Sequence, residues 1–116
     1  MKSGKILLIN DDEKLTSYLK DELMVKKGYI ISAVYSAYNG IEALKSEDFD
    51  LVITKFGMPD LEGKLLLREL KKIDSDCIII IIADLDKADM LQDVFRLGAY
   101  ELFTKPINLE KLNFVV

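Results

Sequence analysis

Charged side chains directly follow three segments of this chain that read as short buried strands. Two carboxylates, Asp11 and Asp12, come after the first strand, and single lysines, Lys55 and Lys105, come after two later ones. Carboxylate oxygens bind Mg²⁺ and also cap the N-termini of helices. A lysine ammonium is a cation at neutral pH and pairs with nearby carboxylates. The chemistry open to these four side chains is therefore metal binding, helix capping or ion pairing.

The remaining composition excludes several classes of protein. There is no histidine and one cysteine, so disulfide frameworks, Cys/His zinc sites, histidine triads and histidine phosphotransfer lack their residues. Cys77 is predicted to be a small core residue. A net charge of −4 provides no basic stripe for nucleic acid. The longest apolar run, Cys77–Ala83, is far shorter than the roughly 20 residues that span a membrane. We expect a cytoplasmic protein that contacts neither nucleic acid nor membrane.

Strands and helices are predicted to alternate along the chain, because apolar residues recur first in short runs and then at helical spacing. The predicted strands are Lys5–Ile9, Tyr29–Tyr35, Leu51–Thr54, Ile78–Ile82 and Leu102–Thr104. The predicted helices are one from Leu15 until Gly28, Ile41–Ser46, Leu65–Ile73, Lys87–Leu97 and a short one from Asn108. Asn39 and Gly40 are interpreted as a turn, and Lys55–Gly63 as a loop. The isoleucine run requires cover on both faces of its strand.

Five such βα units predict one α/β domain, residues 1–116, with a flavodoxin-like, doubly wound fold. Its parallel five-stranded sheet has the order 2-1-3-4-5, and its fifth helix is short or truncated. The functional crevice of such a sheet lies at the carboxyl ends of the strands, where the strand order reverses. That point lies between the first and third strands. It brings together Asp11, Asp12 and Lys55, with Ile82 and Lys105 on the flanking strands.

Three segments resemble the receiver domain of the two-component response regulators, and the resemblance covers essentially the whole chain. They are the acidic first turn in Lys5–Glu13, the segment Asp50–Gly63, and Gly98–Ala99 followed by Thr104–Pro106. In that family an aspartate at the end of strand three accepts a phosphoryl group from a histidine kinase. A magnesium ion held by the acidic turn and the acceptor neutralises the charge. A Ser or Thr after strand four contacts the phosphoryl oxygens, and a lysine completes the site.

The resemblance carries over to only part of this site. Asp11 and Asp12 match the acid pair, and Lys105 matches the lysine. The acceptor position is Lys55 and the hydroxyl position is Ile82. A protonated lysine is a poor nucleophile at neutral pH, and isoleucine offers no hydroxyl to a phosphoryl group. The resemblance therefore implies the receiver fold with a degenerate phosphorylation site and no catalytic residue.

The charge balance of this site disfavours magnesium. The two acids and two lysines cancel, whereas an aspartate at position 55 would leave a formal charge of −2. Mg²⁺ prefers near-octahedral oxygen ligands, and one carboxylate is here replaced by a cation. We expect Lys55 to pair with Asp11 or Asp12. Magnesium binding, for which Asp11 and Asp12 are the residual candidate ligands, should be weak or absent, and no other cofactor is expected.

The function favoured by these observations is signal transduction in a two-component, phosphorelay-type system by a pseudo-receiver that is not an enzyme. It would act by protein–protein interaction, independently of phosphorylation. Its partner would be a histidine kinase, an output domain or an output protein. A homodimer is also expected, through the face formed by the fourth helix, the fifth strand and the fifth helix. Residues near Met90, Arg96 and Tyr100 lie on that predicted face.

Several alternatives remain open from the sequence. Asp11 and Asp12 could simply cap the first helix, Lys55 could be a solvated loop residue, and Asp60 could serve as a substitute phosphoryl acceptor. A small flavodoxin-like carrier is disfavoured, because two aspartates in the first turn would repel a phosphate. A further acidic group, Asp84, Asp86 and Asp89, is interpreted as favouring the dipole of the fourth helix.

Overall fold

Five short apolar segments form the strands of one sheet, and the computed structural model describes residues 4–25, 28–84 and 93–116. The strands are β1 (Lys5–Ile9), β2 (Ile30–Val34), β3 (Leu51–Lys55), β4 (Ile79–Ala83) and β5 (Glu101–Thr104). The helices are α1 (Glu13–Lys20), continued by a π-helical segment (Asp21–Val25), α2 (Ala37–Ser46), α3 (Gly63–Ile73) and α4 (Leu109–Val115). The predicted helix Lys87–Leu97 lies mostly outside the described residues, and residues 93–98 form turns.

The sheet is parallel and has the order β2-β1-β3-β4-β5, which confirms the predicted doubly wound topology. The strand order reverses at β1, which pairs with both β2 and β3. The carboxyl ends of β1 and β3 are therefore neighbours, with Ile9 beside Thr54. On the other side of β3, Lys55 lies beside Ile82 of β4. This register places the carboxyl ends of β1, β3 and β4 at the same edge of the sheet.

Alternate residues of the central strands face two separate cores, as expected for a sheet covered by helices on both sides. Ile79 and Ile81 of β4 belong to the core beneath α2 and α3, and Ile80 and Ile82 to the core beneath α1 and α4. All five residues of β4 are buried, which confirms the prediction from the isoleucine run. The strand begins one residue later than predicted, at Ile79.

Cys77 is buried, as predicted for a core residue. Burial, together with the nearby Asp74 carboxylate, raises the pKa of its thiol to about 11, and Lys71 opposes the shift. A thiol with such a pKa stays protonated at neutral pH and is not a reactive nucleophile.

The start of α2 differs from the sequence prediction. The helix begins at Ala37, not Ile41, so Asn39 and Gly40 lie inside it and the predicted turn is wrong. Two features favour the longer helix. The Ser36 hydroxyl accepts a hydrogen bond from the Asn39 N–H at 3.1 Å, which is typical of an N-cap. The missing side chain of Gly40 also lets the helix approach β1, because a Cβ there would collide with Ile9.

Gly63 similarly belongs to the first turn of α3, whereas the sequence placed it in the preceding loop. Glu62 caps this helix by accepting a hydrogen bond from the Lys64 N–H at 2.8 Å. At the end of the chain, α4 has seven residues, in agreement with a short last helix, and Asn108 is its N-cap. Over the described ranges, the helices are too short or too polar to span a bilayer.

Candidate functional site

The first part of the site is the turn that leads from β1 into α1. The Asn10 N–H donates to the Val34 carbonyl at 3.1 Å, so the chain still follows the sheet at this residue. The Asn10 side chain then accepts the N–H of Asp12 through its Oδ1 at 3.1 Å. Such a bond to the residue two positions later forms an Asx turn. The turn ends the strand and begins the helix within three residues.

Asp12 is the N-cap of α1. Its Oδ1 accepts the backbone N–H groups of Lys14 at 3.0 Å and Leu15 at 3.1 Å. The hydrogen bond from the Leu15 N–H is the main cause that lowers the pKa of Asp12, and desolvation opposes it. The hydrogen bond from the Lys14 N–H and the charges of Lys105 and Lys55 also lower this pKa. Asp12 therefore caps α1, which is one of the roles that the sequence leaves open for it.

Asp11 has a different partner. Its Oδ1 lies 2.8 Å from the Lys55 Nζ, in an ion pair that is also a hydrogen bond. The two side chains are only partly exposed, 19% for Lys55 and 30% for Asp11. The predicted ion pair between Lys55 and the acidic turn is confirmed, and Asp11 provides the carboxylate. Lys55 is accordingly not a free, solvated lysine.

Lys105 has a partner that the sequence did not identify. Its Nζ lies 3.4 Å from Oδ1 of Asp84, the residue that directly follows β4. The sequence predicts that Asp84 favours the dipole of the fourth helix, whereas the structure places its carboxylate beside Lys105. The signal that could have found it is its position, because the ends of β4 and β5 are neighbours in the predicted sheet order. Asp86 and Asp89 lie outside the described residues.

Ile82 is the apolar residue that lies beside Lys55 at the site. It is 1% exposed and lies beside Lys55 in the register of β3 and β4. Its side chain belongs to the same core cluster as Ile53. Since side chains two apart on a strand share a face, Lys55 leaves β3 on the face that Ile82 occupies. A hydroxyl at position 82 would therefore lie next to the Lys55 side chain.

Asp60, the candidate substitute acceptor, is held by α2. Its two carboxylate oxygens accept the N–H groups of Ala37 and Tyr38, each at 2.9 Å. Partial desolvation is the largest single influence on the pKa of Asp60 and raises it, but the N–H groups of Tyr38, Ala37 and Asp60 itself lower it on balance. Asp60 therefore joins the loop after β3 to the start of α2.

Among the described residues, the site contains three carboxylates and two ammonium groups, and each lysine is paired with a different carboxylate. The third carboxylate, Asp12, caps a helix. In the part of the chain that the structure describes, no three His, Cys, Asp or Glu side chains converge as metal ligands would. The arrangement is suited to holding the ends of β1, β3, β4 and β5 together by charge.

Comparison with known proteins identifies the family to which this architecture corresponds. The sequence profile of the response regulator receiver domain matches residues 6–116. Sporulation initiation phosphotransferase F of Bacillus subtilis is 32% identical over 119 residues, which cover 100% of this chain and 93% of that protein. A crystal structure of a response regulator receiver domain protein from Clostridium thermocellum superposes with a TM-score of 0.88 at 29% identity, over 96% of this chain and 89% of that one.

Other relatives are longer than this chain. The uncharacterized transcriptional regulatory protein YkoG of Bacillus subtilis is 30% identical over 112 residues, which are 97% of this chain and 49% of that protein. The chain thus spans about half the length of this relative.

Proposed function

The chain belongs to the response regulator receiver domain family, and we propose that it signals without being phosphorylated, through contacts with a histidine kinase or an output domain. Receiver domains are signalling modules, and this one would act as a binding partner and not as an enzyme. The observation that carries the proposal is the 2.8 Å ion pair between Lys55 and Asp11.

The position of Lys55 supports this proposal. Lys55 is the last residue of β3, the place where the family resemblance puts the aspartate that accepts the phosphoryl group. An acyl phosphate forms by attack of a carboxylate oxygen, and position 55 offers an ammonium group instead. The Lys55 ammonium group is also engaged by the Asp11 carboxylate at 2.8 Å.

The donor set at the site also does not fit the magnesium ion of the family. Asp11 is engaged by Lys55, and the Oδ1 of Asp12 already accepts two backbone N–H groups. A metal at this place would have to compete with a cation that lies 2.8 Å from Asp11. The charge that magnesium neutralises in the family is here neutralised by Lys55. These contacts support weak or absent magnesium binding.

Ile82 supports the same proposal independently. A phosphoryl group near Lys55 would meet an aliphatic side chain on β4, where the family resemblance places a hydroxyl. Loss of one hydrogen-bond donor to developing charge commonly lowers a rate about a hundredfold or more. The site therefore lacks the acceptor and the hydroxyl together.

The alternative proposal, phosphorylation of Asp60, is disfavoured by the contacts of that residue. Transfer of a phosphoryl group to either oxygen would disrupt the pair of 2.9 Å hydrogen bonds that hold the start of α2. The lowered pKa of Asp60 also makes its carboxylate a weaker nucleophile.

The other alternative, a small flavodoxin-like carrier, is disfavoured by Asp12. The carboxylate of Asp12 already occupies the N-terminus of α1 and would repel the phosphate of a ligand.

The experiment that tests the proposal is incubation with acetyl phosphate and Mg²⁺, followed by intact mass spectrometry. We expect no phosphoryl adduct on the parent protein or on Ile82→Thr, which keeps Lys55. The double variant Lys55→Asp with Ile82→Thr should gain one adduct, and Lys55→Asp alone should gain it more slowly. An adduct on the parent at the rate of the double variant would overturn the proposal, and its loss in Asp60→Asn would assign it to Asp60.

A further inference from the structure

Asn10 is a buried polar residue whose amide is only half satisfied. It is 1% exposed and directly precedes Asp11. Its Oδ1 accepts the Asp12 N–H, but its Nδ2 has no hydrogen-bond partner within the described residues. A buried donor left without a partner lowers the stability of the folded state. An aliphatic residue at this position would avoid the unsatisfied Nδ2 but would lose the hydrogen bond from the Asp12 N–H.

The satisfied half of the amide determines how the two neighbouring carboxylates separate. The Asx turn at Asn10 directs the Asp12 N–H back towards the strand end, so Asp12 takes the extended conformation of an N-cap, with φ −93° and ψ 106°. Its carboxylate then reaches the N–H groups of α1. Asp11, held between the strand and this turn, points instead to Lys55.

We propose that Asn10 is a positioning residue: its side-chain oxygen fixes the turn that assigns Asp11 to Lys55 and Asp12 to the cap of α1. Without that oxygen the backbone of Asp12 is released, and the two adjacent carboxylates become interchangeable partners for the same ammonium group. The inference rests on the proposed function in one respect: it takes the Lys55–Asp11 ion pair to be the form in which the unphosphorylated domain signals.

The test compares Asn10→Ala with Asn10→Ser, two variants that differ in a single hydroxyl. A serine hydroxyl can accept the N–H two residues later, as an Asx side chain does, whereas alanine cannot. In each background, Lys55→Met and Asp11→Asn are made singly and together, and urea unfolding yields the coupling between the two charged residues. Thr16→Val is the matched control, because Thr16 is also 1% exposed and its Oγ1 also lacks a partner within the described residues.

In the parent and in Thr16→Val, we expect the coupling to change the folding equilibrium constant by about fivefold, which corresponds to about 1 kcal/mol. In Asn10→Ala it should fall to less than twofold, and Asn10→Ser should recover most of it. Equal coupling in the parent, Asn10→Ala and Asn10→Ser would overturn the proposal. Loss of coupling in Thr16→Val as well would also overturn it, because the effect would then belong to any buried polar residue near α1.

This measurement does not depend on phosphorylation. The unfolding experiments contain no phosphoryl donor, so the coupling can be present even if the parent protein accepts a phosphoryl group from acetyl phosphate. Conversely, an unphosphorylated parent with no change in coupling in Asn10→Ala would leave the proposed function standing and remove the role of Asn10.

Discussion

Replacing Lys55 by aspartate should make the stability of this domain depend on magnesium. The parent pair has a gross Coulomb energy of about 6 kcal/mol at an effective dielectric constant near 20, for an N–O distance of 2.8 Å. Desolvation offsets much of this, and because both side chains are partly exposed, the net contribution should be about 1 to 3 kcal/mol. Lys55→Asp removes that contribution and adds a carboxylate beside Asp11. Without metal, we expect a total loss of about 2 to 4 kcal/mol.

Magnesium should restore most of this loss in the variant and none in the parent. A ligand at 100 times its Kd stabilises the folded state by about 2.7 kcal/mol. For a domain of this size, 1 kcal/mol changes Tm by about 4 °C, so the expected recovery is roughly 10 °C. The parent has no carboxylate to contribute at position 55, and its Tm should be unchanged.

The assay is thermal unfolding followed by circular dichroism, with and without MgCl₂, at constant ionic strength set by NaCl. Lys55→Met is the matched control, since it removes the ion pair without adding a ligand. Its Tm should fall less than that of metal-free Lys55→Asp and should not respond to Mg²⁺. The reasoning is refuted if Mg²⁺ raises the Tm of the parent as much as that of Lys55→Asp. It is also refuted if metal-free Lys55→Asp is as stable as the parent.

Three further changes test other parts of the structure. Asp60→Ala should cost about 1 kcal/mol in urea unfolding, because α2 loses a cap. Backbone N–H groups lower the folded-state pKa of Asp60 from its ordinary value, so the cost should be full at pH 7 and shrink as the pH falls through the folded-state pKa, and a pH-independent cost would contradict this. Gly40→Ala should destabilise the domain by about 1 to 3 kcal/mol, because overlap with Ile9 outweighs the helix propensity of alanine, and Ile9→Val should recover part of it. Tyr100 is 62% exposed and lies on the expected dimer face, so light scattering at rising protein concentration should detect weak self-association that Tyr100→Ser reduces. A parent protein that stays strictly monomeric would contradict this.

The fold could be predicted from the sequence because its dominant signals are local and mutually consistent. The isoleucines of β4 alternate between two cores, and only a sheet covered on both sides satisfies that pattern. The start of α2 could not be predicted in the same way. Asn39-Gly40 has the local composition of a turn, but the helix is extended through it by a carboxylate from Asp60, 23 residues away from Ala37. The cap by Ser36 and this contact between distant segments together outweigh the local preference for a turn.

The sequence predicts which residues of the candidate site lie at neighbouring strand ends, but not how all of their side chains pair. The topology places Asp11, Asp12 and Lys55 at one edge of the sheet, and from this the ion pair followed. The choice between the two aspartates depends on the backbone turn at Asn10, which composition and spacing do not specify. The partner of Lys105 is Asp84, which directly follows β4 and so also lies at a neighbouring strand end, although its composition favours the start of a helix. Residue types therefore predicted the charges, and backbone conformation determined their pairing.

The same pairing determines what an aspartate at position 55 can regain. Removing the ammonium group releases Asp11, because Lys55 is the partner of that carboxylate. It does not release the Oδ1 of Asp12, which stays bonded to the first turn of α1. Lys105 also lies 3.4 Å from Asp84, so that carboxylate would compete with a phosphoryl group at position 55 for the Lys105 ammonium group. Restored metal binding should therefore depend on Asp11 more than on Asp12, and phosphoryl transfer should recover less completely than metal binding.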